Sequence, residues 1–375
     1  MTAKPIYLDY NATTPLDPEV IGAMRPYIED HFGNPSSAHF YGIAAREAVD
    51  RARARVAELL NCAPFEVVFT SGGTESNNYA LKGAALALRD RGNHIVTSSI
   101  EHPAVSEVCL WLAARGFEIS WLPVDDFGMV AVADVEAALR PGTILVSIMH
   151  ANNEVGTIQP IAPIARAARR VGALVHTDAA QSAGKIPVDV KALGVDLLSL
   201  AGHKLYAPKG VGALFVRRGV ALDKFLHGAG QEAGCRAGTE NVLEIVGLGK
   251  ACEIARRGLT QHAAHMRATR DALEDGLRAR ISAMRVNGHP VERLPNTLSV
   301  SFPGAAAQQL LGAIGDRVAA SAGAACHSGA VEISHVLRAM RVPVEFAQGA
   351  LRLSTGRQTT MEDTQGAVRA ICDCL

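Results

Sequence analysis

Asp178 and Lys204 are the residues whose types and setting most directly suggest chemistry. Asp178 stands in Val175-His176-Thr177-Asp178-Ala179-Ala180-Gln181, at the C-terminal end of an apolar run. Lys204 follows in Ala201-Gly202-His203-Lys204, just past another such run. The C-terminal ends of buried parallel strands are where α/β sheets bind ligands. A lysine there can form a Schiff base with pyridoxal phosphate. A carboxylate can pair with the pyridinium nitrogen, so that the ring accepts electrons from a substrate carbanion. Each residue also has a plainer use, Lys204 as a solvated surface lysine and Asp178 as a helix cap. In Phe69-Thr70-Ser71-Gly72-Gly73-Thr74-Glu75-Ser76-Asn77-Asn78, two glycines turn a strand into a helix. Its first amides, with the Thr74 hydroxyl, can hold a phosphate; alone it would be an ordinary turn with Thr74 as N-cap. It is not a Walker loop, because no Gly-Lys-Ser/Thr follows. His102, in Ser99-Ile100-Glu101-His102, can stack on a cofactor ring and shuttle protons near neutral pH. A lone histidine is more often structural. Met149-His150-Ala151-Asn152-Asn153-Glu154 adds amides at a further strand end.

Placing these groups together requires a sheet. Candidate strands are 66–70, 94–98, 118–122, 143–149, 173–177, 195–200 and 212–216. Several are nearly all apolar, as in a parallel sheet buried on both faces. Helix-length segments alternate with them, such as 44–60 with Val49, Val56, Leu59 and Leu60 on one face. Asp17-Pro18 starts another helix with a capping carboxylate and a proline at the first position. The βαβ alternation puts helices on both faces and brings the candidate residues to one sheet edge. From about residue 240 a long helix to about 280 is followed by strands near 297–301, 318–321 and 351–354, which predicts a smaller α+β domain. The expected division is a large cofactor domain, 16–250, and a small domain of 1–15 plus 251–375.

Composition narrows the function classes. The 375 residues carry 37 Lys plus Arg and 37 Asp plus Glu, so the net charge is zero and no basic field favours nucleic acid or an anionic membrane. Apolar residues at 48% allow a large core, and charged residues at 20% argue against global disorder. No apolar run reaches the ~18 residues that span a bilayer. Seven scattered cysteines without Cys-x-x-Cys pairs argue against a disulfide framework or zinc site. A cytoplasmic enzyme without a metal is expected.

Taken together, the motifs resemble those of the pyridoxal-phosphate cysteine desulfurases and selenocysteine lyases, in the class V aminotransferase group. The likeness runs through Leu8-Asp9-Tyr10-Asn11-Ala12-Thr13-Thr14-Pro15, Phe32-Gly33-Asn34-Pro35-Ser36-Ser37, the 70–78 turn, Asn152-Asn153-Glu154 and Asp178-Ala179-Ala180-Gln181. It continues through Gly202-His203-Lys204, Gly238-Thr239-Glu240-Asn241 and Arg293-Leu294-Pro295-Asn296-Thr297. The resemblance implies fold type I, the aspartate-aminotransferase-like arrangement, with a large, mostly parallel seven-stranded sheet. It assigns Lys204 to the cofactor link, Asp178 to the pyridinium, Gln181 to the ring hydroxyl and His102 to stacking. Gly73, Thr74 and His203 would hold the phosphate, with Thr239 reaching it from the partner in a homodimer. Asn153 would lie by the ring hydroxyl and substrate, with Asn11 and Asn34 also at the substrate. Arg352, in Ala350-Leu351-Arg352-Leu353-Ser354, would fork onto the substrate carboxylate.

Cys326, in Ser321-Ala322-Gly323-Ala324-Ala325-Cys326-His327-Ser328-Gly329, occupies the position of the family's catalytic thiol. Viewed alone it is a small hydrophobe among alanines; its glycine-rich surroundings suggest an accessible loop. The implied activity removes sulfur, or selenium, from L-cysteine or L-selenocysteine to leave L-alanine, with a persulfide on Cys326 and possible delivery to an acceptor protein. A selenocysteine-specific lyase, a transaminase and a sulfur-carrier scaffold without turnover are the alternatives. Three departures bear on substrate choice. Ala201 replaces a usual serine, Ala233 stands where arginine is common, and Gly-Ala-Ala-Cys-His-Ser resembles the lyases. Pro103 after the histidine resembles the desulfurases instead.

Overall fold

A computed structural model describes residues 4–327 and 330–375, with the side chains of 324–327 and 330–332 outside the description. Its main sheet has seven strands in the spatial order Val67–Thr70, Gly212–Val216, Leu197–Ala201, Leu174–Asp178, Thr143–Ser147, His94–Ser98 and Glu118–Leu122. Only Gly212–Val216 runs against the rest, pairing antiparallel on both sides. The other neighbouring pairs are parallel. This is the α/β class and the seven-stranded, mostly parallel sheet that the sequence implies. Inner strands such as His94–Ser98, Thr143–Ser147 and Leu197–Ala201 are buried throughout, whereas the edge strand Glu118–Leu122 is partly exposed. The sequence shows the same contrast: continuous aliphatic runs inside, and Glu118 and Ser120 at the edge. Because six strands share one direction, Thr70, Ser98, Ser147, Asp178 and Ala201 end along one rim.

A second sheet is antiparallel, in the order Ser321–Ala322, Ala350–Ser354, Thr297–Ser301 and Arg285–Asn287. Leu298, Val300, Phe302, Leu351 and Leu353 form its core with Leu8 and Ile371. The helix Val242–Arg278 joins the two cores: Ile245, Leu248 and Ile254 belong to the larger one, Leu273 and Leu277 to the smaller. It lies against the helix Phe40–Leu60 so closely that a Cβ on Gly249 would meet the Ala52 Cα at 2.5 Å. The absence of a side chain at 249 permits that approach. Where the sequence suggests a loop around Cys326, the backbone forms a hairpin of Ala324–His327 and Ala330–Ile333, with Cys326 opposite Val331. Among the described residues, no helix is long and apolar enough to cross a membrane.

Candidate active site

The strand rim opens into a cavity of about 410 Å³ between the two sheets, lined by residues from both. The sheet supplies Asp178 and Ala201, the short helical turn Gly202–Lys204 that follows supplies His203 and Lys204, and the helix Gly73–Ala87 supplies Gly73, Thr74 and Asn77. His102, Asn153 and Gln181 come from segments following strand ends, Asn11 from the N-terminal segment, and Arg352 from the second sheet. The structure thus brings together ten residues foreseen from sequence: Asn11, Gly73, Thr74, His102, Asn153, Asp178, Gln181, His203, Lys204 and Arg352. Asn34 and Thr239 are exposed and outside this lining; the Asn34 side chain caps its own turn by accepting from the Ser36 amide at 2.9 Å. The Cys326 side chain lies outside the described residues.

Lys204 Nζ donates to the backbone carbonyls of Asn11 and Ala12, at 2.5 and 2.7 Å. Burial, reinforced by Arg352, pushes its amine down to about 8, against the opposing pull of Asp178 and Asp9. About a tenth is therefore the free amine at pH 7, against far less for an ordinary lysine, and that is the form that attacks an aldehyde. Asp178 is 8% exposed. One of its oxygens accepts from Asn77 Nδ2 at 2.7 Å and the other from the Ala180 amide at 2.9 Å. Those bonds fix the carboxylate plane while leaving each oxygen a further lone pair for a pyridinium N–H.

His102 caps the helix Pro103–Ala113, its Nδ1 accepting from the Ala104 amide at 3.0 Å. That bond leaves Nε2 as the protonated nitrogen of the neutral ring. Burial lowers its pKa, with Lys204 and His335 adding to the effect and Asp178 opposing it. His203 is likewise held down to about 4 by burial and by Lys204 and Lys209, and its Nδ1 lies 3.3 Å from the Thr13 hydroxyl. Gly73 and Thr74 begin a 15-residue helix at the cavity wall, so its orphan amides are available to an anion. A Cβ on Gly73 would come within 3.2 Å of the Ala201 Cβ.

Arg352 closes the opposite side. It donates to Asp9 Oδ1 at 2.9 Å, Ser321 Oγ at 3.0 Å and the Asn153 carbonyl at 3.3 Å, while its buried Nε has no partner. An unpaired guanidinium N–H beside a cavity suits an incoming carboxylate. An amine, a buried carboxylate and a helix N-terminus therefore surround one cavity. They match the aldehyde, ring nitrogen and phosphate of pyridoxal phosphate, and the residues present fit that cofactor.

Sequence reasoning missed several contributors. Asn77 was visible inside the glycine motif, one turn after Thr74, and that spacing places it on the same helix face. Asp9 sits in the N-terminal motif but pairs with Arg352 343 positions away, which no local pattern reveals. Glu101, beside His102, is 1% exposed; burial pushes its carboxyl up to about 8. Its Oε1 accepts from the Ser98 hydroxyl at 2.5 Å and the Met149 amide at 3.0 Å, and Oε2 has no partner. Lys185, four residues after Gln181, is buried behind the cavity.

Comparison with known proteins agrees with this geometry. The family model described as Aminotransferase class-V matches residues 6–366. A protein of Methanosarcina thermophila named cysteine desulfurase IscS is 48% identical over 369 residues, covering 98% of this chain and 91% of that protein. Among solved structures, a NifS-like protein superposes with a TM-score of 0.93 at 39% identity, covering 99% of each chain. Another, described as SspA in complex with cysteine, gives 0.84 at 37% identity and covers 96% of this chain and 100% of that one.

Proposed function

The chain belongs to the class V aminotransferase family, and from that premise we propose that it is a pyridoxal-phosphate-dependent cysteine desulfurase. The observation that carries the reading is the convergence of Lys204, Asp178 and Arg352 on one cavity. When bound, the cofactor supplies an electron sink that stabilises negative charge formed on the substrate. The chain's own residues bind, orient and move protons. Arg352 would take the substrate carboxylate through its unpartnered Nε, with Nη2 exchanging its present bond to Asp9 for the second carboxylate oxygen. Asp178, held by Asn77 and Ala180, would accept the ring N–H and keep that nitrogen protonated. Lys204 would hold the cofactor and, as a free amine with a pKa lowered to about 8, would serve as the base for the substrate α-proton. His102, whose pKa burial lowers, would place a neutral imidazole against the cofactor ring from the cavity wall.

Sulfur transfer follows from the Cys326 thiolate attacking the substrate sulfur. An S–S bond forms as the Cβ–S bond breaks, the carbon takes a proton, and L-alanine leaves with a persulfide on Cys326. The balance is one cysteine and one thiol in, one alanine and one persulfide out. The sequence Gly-Ala-Ala-Cys-His-Ser around this thiol favours a second reading, in which L-selenocysteine is the better substrate. Comparison of kcat/KM for the two amino acids separates them. The main reading predicts a yellow protein whose visible absorption band disappears in Lys204→Ala. A wild type that stays colourless after incubation with pyridoxal phosphate contradicts it.

A further inference from the structure

Lys185 is a buried lysine with no acid beside it. It is 4% exposed, and it stands behind the cavity rather than in its lining. Its Nζ donates to Gln181 Oε1 at 2.9 Å and to Asn11 Oδ1 at 3.1 Å, both neutral acceptors. The charges it feels most are Lys204 and Arg352, both positive; with burial, they hold its pKa well below the usual lysine range. Burying an amine in such a place is costly unless its N–H bonds are used. As the free amine it has two, one for each acceptor.

Those bonds determine how Gln181 faces the cavity. At one end the Gln181 amide meets Lys185, a donor; at the other its Nε2 donates to the Asn11 carbonyl at 2.9 Å. Only one of the two orientations of the amide satisfies both neighbours. It leaves the second N–H of Nε2 for the cavity that Gln181 lines. Asn11 is fixed in turn, since its Oδ1 also accepts from Asn296 Nδ2 at 2.9 Å and its Nδ2 donates to Thr297 Oγ1 at 2.8 Å.

We propose that Lys185 is a positioning residue: by tying the Gln181 carbonyl oxygen to Asn11, it presents the Gln181 amide nitrogen as a donor to the ring oxygen of bound pyridoxal phosphate. The inference rests on the cofactor reading above. Its test is a pH titration of the visible band of the holoprotein. The deprotonated chromophore carries uncompensated negative charge on the ring oxygen, so weakening a donor to that oxygen raises the midpoint. Lys185→Met is expected to raise it by about 0.5–1 pH unit, the size of one neutral hydrogen bond. Gln181→Met raises it similarly, and the double variant goes no further than Gln181→Met alone. Should Lys185→Met fail to fold, Lys185→Gln, with a donor of shorter reach, is expected to give a smaller rise that vanishes in the Gln181→Met background. An unmoved midpoint, or shifts that add in full, overturns the role of Lys185 while leaving the cofactor reading intact. A wild type without any visible band overturns both.

Discussion

At the scale of single residues, burial governs the site's ionisation. Lys204 and Lys185 are both held below the ordinary lysine range, and Glu101 is raised to about 8. Glu101 is therefore a neutral acid over most of the working range, which fits an Oε2 with no partner. Its folded pKa lies above the unfolded value, so its contribution to stability is complete below pH ~4.5 and is lost as pH rises through about 8. Glu101→Gln keeps the acceptor for Ser98 and Met149 but has no charge to gain. Urea titrations at a series of pH values should show the wild type losing up to about 1.4 kcal/mol per pH unit relative to this variant between pH ~5 and 8. Equal slopes for the two proteins would mean that Glu101 ionises without cost. None of this is visible in sequence: a Glu beside a His carries no sign of its burial.

At the scale of elements, strand ends decide which residues meet. The sequence already shows the strands and the chemistry at their ends, because continuous aliphatic runs followed by Asp178, Lys204 or His102 are local patterns. Boundaries moved by a residue or two: the expected 173–177 is Leu174–Asp178, so Asp178 is the strand's last member rather than the residue after it. The helix expected over 44–60 begins earlier, at Phe40, with His39 capping it. An imidazole cap before two aromatic residues is a weak start signal beside the Ser, Asn and Asp that mark most helices. Around Cys326 the glycines and alanines suggested a loop, yet the hairpin's second strand contains Val331 and Ile333, β-branched residues that favour extension. Long-range joints are the least legible, since Arg352 with Asp9 and Lys185 with Asn11 depend on packing between distant segments of the chain.

At the scale of the whole molecule, the cavity needs both sheets. The N-terminal segment pairs Ile6–Tyr7 with Val318–Ala319 and then crosses to deliver Asn11 to Lys204 and Lys185. Part of the surface also asks for a partner. Phe32 and Phe40 are 81% and 78% exposed on the segment that carries Asn34, and Tyr41 stacks on Phe32 and meets Phe40 edge-on. Large exposed aromatics in a cluster mark association surfaces. We propose that this face packs against a second copy of the chain, in the homodimer that would let Thr239, outside the cavity of its own chain, reach the site of the other. Sedimentation should give a dimer for the wild type and a shift toward monomer for Phe40→Asp; a monomeric wild type would leave Thr239 without the role given to it. The central claim is desulfuration, and one measurement bears on it most directly: a single turnover of the holoprotein with L-cysteine, in the absence of keto acid and reductant. The account predicts one L-alanine per active site, with one added sulfur atom found by mass spectrometry on the peptide containing Cys326. Pyruvate in place of alanine, or alanine with an unmodified Cys326 peptide, would contradict it.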